Sequence, residues 1–147
     1  MKLLVILFIE MLVLSCTTIQ NGQRVKFNYS VRGNSRVVKM SIPKFSKLIK
    51  ITAGGEGEEH RYLYTDSSII YITSIQGTGT INEPFIVQEK AMYNRRFSSD
   101  TTTMEGIGLN GNYWKEVKYN NVFYGYSNVP LTKKVFFDEA LSSVKAK

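Results

Sequence analysis

Residues 112–144 read NYWKEVKYNNVFYGYSNVPLTKKVFFDEALSSV, and this stretch decides the fold. Asn112 to Tyr119 and Val122 to Ser127 are two runs of aromatic and β-branched residues flanking Asn120-Asn121. Asn tolerates positive φ, so the pair predicts a two-residue hairpin turn. That register sets Val117 opposite Tyr124 and Tyr119 opposite Val122 on one face, with Trp114 and Phe123 on the other. Large residues on both faces predict a hairpin covered on both sides, or one face packed on the final helix. Pro130 opens that helix, with Thr132 as an alternative cap. Leu131, Val135, Phe136, Ala140, Leu141 and Val144 form an apolar stripe at about 3.6-residue spacing, with Phe137 near its edge. Lys145 and Lys147 at the end suit the helix dipole.

Upstream, the chain reads mainly as strands. Val37 to Ile42 alternates and is ended by Pro43. Leu48 to Ile51 is a second run, leading into a turn at Gly54-Gly55-Glu56-Gly57. Arg61 to Tyr64 and Ser68 to Ile75 flank Asp66-Ser67, which predicts another hairpin. Ile69, Ile70, Tyr71, Ile72 and Ile75 suit a pleated, half-buried surface. The segment Glu83 to Arg96 is open between strand and helix, with Pro84 placed for a first helical turn. Phe97 to Thr103 is polar and reads as exposed. Gly106, Gly108 and Gly111 read as loop glycines before the Trp strand. The expectation is α+β: a mainly antiparallel β-sheet packed against a C-terminal α-helix, in one globular domain over residues 24–147. The order of Ile-Pro strand, Gly-rich turn, aromatic strands, Trp strand and closing helix resembles the PsbP-like α/β/α sandwiches.

At 147 residues the chain suits one domain. A single Cys excludes a disulfide framework and a Cys-rich zinc site. Its apolar and aromatic content excludes a wholly disordered chain. No apolar run after the N-terminal segment approaches the ~20 residues of a spanning helix.

Met1-Lys2 is followed by an apolar core from Leu3 to Leu14 and then by Ser15-Cys16. A positive start, a short apolar core and a small residue before the cut are the parts of an export signal. Leu12-Val13-Leu14-Ser15-Cys16 resembles the lipobox of bacterial lipoproteins. The resemblance implies a signal peptide over residues 1–15, a diacylglycerol on the Cys16 thiol, and a fatty acyl chain such as palmitate on its new amino group. Residues 16–23 would then be an acylated tether. Thr17 is not the Asp that retains many diderm lipoproteins at the inner membrane. In a diderm source the resemblance therefore implies the outer membrane, facing the periplasm. The alternative is a cytosolic protein whose first strand or helix is apolar, with Cys16 an inert core thiol.

The net charge is +7, and it is unevenly spread. Arg24, Lys26, Arg32, Arg36, Lys39, Lys44, Lys47 and Lys50 lie between Cys16 and Gly55, where no Asp or Glu occurs. From Glu56 onward the basic and acidic residues nearly balance. Basic residues beside a lipid anchor could contact anionic head groups, at ~1 kcal/mol each near the surface. Alternatively they are solvated charges on strand positions that need not converge. Phe27, Tyr29 and Phe45 among them could stack bases, but no nucleic-acid motif is present and an exported domain has little occasion for one.

Catalytic signals are sparse. His60 is the only histidine, and no Gly-x-Ser-x-Gly elbow accompanies it; near a loop it reads as a solvated residue. Glu56, Glu58, Glu59 and His60 could hold a cation, but their spacing fits neither an EF-hand nor a zinc helix. A solvated hairpin tip accounts for the same residues. Gly54, Gly55, Gly57, Gly77 and Gly79 lack the flanking pattern of a phosphate loop. The aromatic group at Tyr113, Trp114, Tyr119, Phe123, Tyr124 and Tyr126 could bind a partner or glycan, or pack the hairpin. No cofactor or metal is expected. Three functions remain: a membrane-anchored envelope lipoprotein with a binding or structural role; an envelope inhibitor or immunity-type protein occluding a toxin or hydrolase; and a small hydrolase or metal-dependent enzyme using His60.

Overall fold

The structure, a computed structural model, describes residues 22–31, 33–55, 57–87 and 90–146. Cys16, the tether up to residue 21, Arg32 and Glu56 lie outside the described residues. The strands are β1 (Gln23–Val31), β2 (Asn34–Ile42), β3 (Lys47–Thr52), β4 (Glu58–Leu63), β5 (Ile69–Thr73), β6 (Thr101–Ile107), β7 (Tyr113–Tyr119), β8 (Val122–Val129) and β9 (Lys145–Ala146). The helices are α1 (Lys90–Ser98) and α2 (Leu131–Ser142), with one 3₁₀ turn at Thr80–Asn82. The fold is α+β, as expected.

Six strands form one antiparallel sheet in the order β3-β4-β5-β8-β7-β6. The predicted hairpin is β7–β8. Its pairs Val117–Tyr124 and Tyr119–Val122 are those the Asn-Asn turn dictates, and Asn120 takes the positive φ. β8 is buried along almost its whole length, so it is covered on both faces.

Three strands, β1-β2-β9, form a second, smaller sheet. Val25, Phe27 and Tyr29 of β1 and Val38, Met40 and Ile42 of β2 point into the main core. There they meet Tyr62, Ile70, Ile72, Tyr124 and Tyr126 of the large sheet and Phe137, Ala140 and Leu141 of α2. The small sheet and α2 thus share one face of the large sheet.

Four expectations change. Phe137, placed at the edge of the helical stripe, is its centre: its ring lies 5.0 Å from Tyr64 and 5.8 Å from Tyr126. Leu131 and Val135 turn outward and are 68% and 55% exposed. The helix stops at Ser142, so Lys145 sits in β9 and not in a last helical turn. The open segment from Glu83 is helical only from Lys90. Phe97 to Thr103 is largely exposed, as expected, but from Thr101 the chain runs as edge strand β6. Gly106 belongs to that strand, and a Cβ there would meet the Trp114 indole at 3.0–3.1 Å.

The other face of the large sheet is covered by the chain between β5 and β6. Ile81, Ile86, Met104 and Trp114 make a second apolar cluster there, joined by Phe85 and Met92. Among the described side chains of α1, Arg96 alone is fully buried.

Candidate functional site

Alternation along β1 and β2 decides where the basic residues go. With Val25, Phe27 and Tyr29 turned inward, Arg24 and Lys26 must turn outward. With Val38, Met40 and Ile42 inward, Lys39 turns outward too. The ladder sets Lys26 directly opposite Lys39, and Lys39 directly opposite Lys145. Three lysines therefore form one row across the small sheet, with Arg24 one position away opposite Ser41. Arg24, Lys26, Lys39, Lys145, Ser41 and Ser143 line a shallow groove of about 630 Å³. No ion pair among the described residues involves any of these four cations.

The other basic residues do not join this row. Arg36 pairs with Tyr29, on the inward-facing register of β2, and is exposed near the hairpin end. Lys44 lies in the connection to β3, and Lys47 and Lys50 lie on β3, an edge of the large sheet. The eight basic residues between Cys16 and Gly55 are thus divided, with Arg32 outside the described residues. Lys145, from the far end of the chain, completes the part that converges.

His60 is not a solvated loop residue. It lies within β4 and is only 7% exposed. Its ring meets Phe27 edge-on at 5.0 Å, and its Nε2 lies 3.5 Å from Glu58 Oε2. Nδ1 has no hydrogen-bond partner among the described residues. Burial, assisted by Lys50, holds the imidazole pKa below its ordinary value against the pull of Glu58. Among the described residues no serine or aspartate hydrogen-bonds the imidazole, which is walled by Phe27. The acidic cluster also divides: Glu58 faces His60, while Glu59 is fully buried on the opposite face and bonded by Arg61 Nε. No group of His, Cys, Asp or Glu suited to a metal ion occurs among the described residues. Of the aromatic group, Trp114, Phe123, Tyr124 and Tyr126 are core, and Tyr119 is 42% exposed.

No protein-family model, curated protein or solved structure matches this chain.

A buried charge cluster, which the sequence reading missed, lies on the face away from the small sheet. Arg61, Tyr71, Gly125 and Glu116 stand directly opposite one another on β4, β5, β8 and β7. Gly125 has no side chain, so the Tyr71 ring lies across it and its hydroxyl donates to Glu116 Oε2. A Cβ at Gly125 would come within 2.6 Å of that hydroxyl and 2.2 Å of the Lys115 carbonyl oxygen. Arg96 of α1 reaches down to the same carboxylate, its Nε 3.0 Å from Glu116 Oε1. Its Nη2 donates to the Thr78 carbonyl, and its guanidinium stacks 4.3 Å over the Phe123 ring. Gly79 closes the cluster at φ 92°, where a Cβ would lie 2.7 Å from Tyr71 and 2.8 Å from Glu116. Burial raises the Glu116 pKa above the ordinary carboxylate value, opposed by Arg96 and by the Tyr71 hydrogen bond. Each group is held by another, so the arrangement is a staple that fastens α1 to the sheet. The signal for it was Gly125 inside an aromatic strand, which marks a close approach.

Proposed function

We propose that this protein is a lipid-anchored domain of the bacterial cell envelope, with a non-enzymatic binding or structural role. It is held through acylated Cys16, on the outer membrane facing the periplasm if the source is diderm. The observation that carries the reading is the apolar run Leu3–Leu14 closing on Ser15-Cys16, seven residues before the first strand begins at Gln23. Two or three acyl chains, at ~0.8 kcal/mol per buried methylene, hold a protein of this size firmly. No helix among the described residues is long and apolar enough to cross a membrane, which is compatible with anchoring by lipid. The enclosure of His60 against Phe27 favours this reading over a His60-dependent hydrolase.

Metabolic labelling with a palmitate analogue tests it. The wild-type chain takes up label and Cys16→Ser takes up none. An unlabelled wild type, or a labelled Cys16→Ser, contradicts the proposal.

A further inference from the structure

The row Lys26–Lys39–Lys145 is unfavourable for folding taken alone. Like charges directly opposite on neighbouring strands repel, with the strands only about 4.8 Å apart. The outward positions of β1, β2 and β9 offer no relief. They are Arg24, Lys26, Asn28 and Ser30, then Ser35, Val37, Lys39 and Ser41, then Lys145, with no carboxylate among them. On β7 and α2, by contrast, Lys115 and Lys134 share Asp138, and Lys133 meets Asp66. Among the described residues no carboxylate pairs with these four cations, and an anionic surface laid against the face would relieve their repulsion.

The position of the face indicates which anion. The described chain begins at Gly22, two residues before Arg24, and Cys16 is only six residues further back. Seven residues span at most about 25 Å in any conformation. A bilayer holding Cys16 therefore lies within reach of β1, and its surface potential acts over a Debye length of about 8 Å. The cations are spread over an open sheet face beside a shallow groove, which suits several headgroup phosphates at once.

We infer that the outer face of the β1-β2-β9 sheet lies against anionic lipid headgroups, with Arg24, Lys26, Lys39 and Lys145 as the contacts. This inference rests on the anchor at Cys16. The domain then sits with its small sheet on the membrane and α1 pointing away from it. Lys44 and Lys47 lie off this face and contribute little. Each cation near an anionic surface multiplies affinity about fivefold. Neutralising two therefore costs about thirtyfold.

The test uses the full chain purified from membranes and reconstituted into vesicles with nitroxide-labelled headgroups. With Cys16 acylated, an introduced cysteine is the sole free thiol for a fluorophore. Asn28→Cys places it on the outer face of the small sheet, and Asn94→Cys places it on α1 across the large sheet. In vesicles containing phosphatidylglycerol, the Asn28→Cys probe is quenched and the Asn94→Cys probe is not. The difference vanishes in zwitterionic vesicles, at high salt, and when Lys26→Gln/Lys39→Gln is added, but persists with Lys44→Gln/Lys47→Gln. The Lys26→Gln/Lys39→Gln chain also unfolds about 2–4 °C higher than wild type, because the repulsion is gone. Equal quenching at the two positions in an anchored protein overturns the inference and leaves the anchor standing. So does equal sensitivity to the Lys44/Lys47 pair, which would show that overall positive charge and not this face sets the orientation. Dye uptake by the wild-type chain reveals a free Cys16 thiol, which removes the anchor and the inference with it.

Discussion

At the scale of single residues, His60 carries the clearest pH signature. Its folded pKa is lowered, chiefly by burial against Phe27, so the native state holds it neutral. The unfolded chain protonates near pH 6.5. Stability from this group is fully present above that pH and is lost as pH falls toward the folded value. No other histidine contributes, and the raised Glu116 and Glu83 shift stability in the opposite sense. Urea midpoints at pH 7.5 and pH 5.5 should therefore differ for wild type and converge in His60→Leu. An unchanged difference in His60→Leu would show that the imidazole is not the titrating group. The sequence placed His60 near a loop because Gly57 precedes it closely. It did not show that β4 begins at Glu58 and turns alternate residues to opposite faces. That same alternation separates Glu58 and His60 from Glu59 and Arg61, so a cluster contiguous in sequence is split by a sheet. Asp138 shows the converse. Partial burial works to raise its pKa, but hydrogen bonds from Lys134, Tyr126 and Lys115 outweigh it and hold the carboxyl below its ordinary value.

At the scale of elements, legibility followed the strength of the local pattern. The β7–β8 hairpin was readable to the residue pair from Lys115 to Tyr119, because an Asn-Asn turn fixes register; beyond Lys115 a bulge shifts Tyr113 opposite Val129, which the turn alone does not dictate. Helix α2 was readable in place but not in rotation. Leu131, Val135 and Phe136 are apolar without being buried, and they pulled the expected stripe off Phe137. β1 was missed although Val25, Phe27 and Tyr29 alternate strictly with Arg24, Lys26 and Asn28. Helix α1 was ambiguous for a physical reason: its described side chains are mostly exposed and polar, and its fastening is Arg96 into Glu116. That fastening predicts an asymmetric response. Arg96→Met strands a buried carboxylate and should cost about 3–5 kcal/mol in urea unfolding. Adding Glu116→Gln removes the orphaned charge, so the double variant should be the more stable of the two. A double variant no better than Arg96→Met would mean that the pair does not act as a unit.

At the scale of the whole molecule, four cations of a +7 protein gather on one sheet face, and the rest of the chain carries the remaining +3. The sequence showed the excess of cations between Arg24 and Lys50, but linear spacing could not say which converge. Tertiary structure selects Arg24, Lys26 and Lys39, rejects Arg36, Lys44, Lys47 and Lys50, and adds Lys145 from the C-terminus. The large sheet separates that face from α1 and its charge staple, so the two polar features act independently. Under the proposed anchor at Cys16, such a domain would be oriented as well as localised. The most direct measurement of that account is the intact mass of the protein extracted from membranes. The account predicts a chain that begins at Cys16 and carries the added mass of a diacylglyceryl group and an amide-linked acyl chain. A chain that retains Met1, or one whose Cys16 is unmodified, would contradict it.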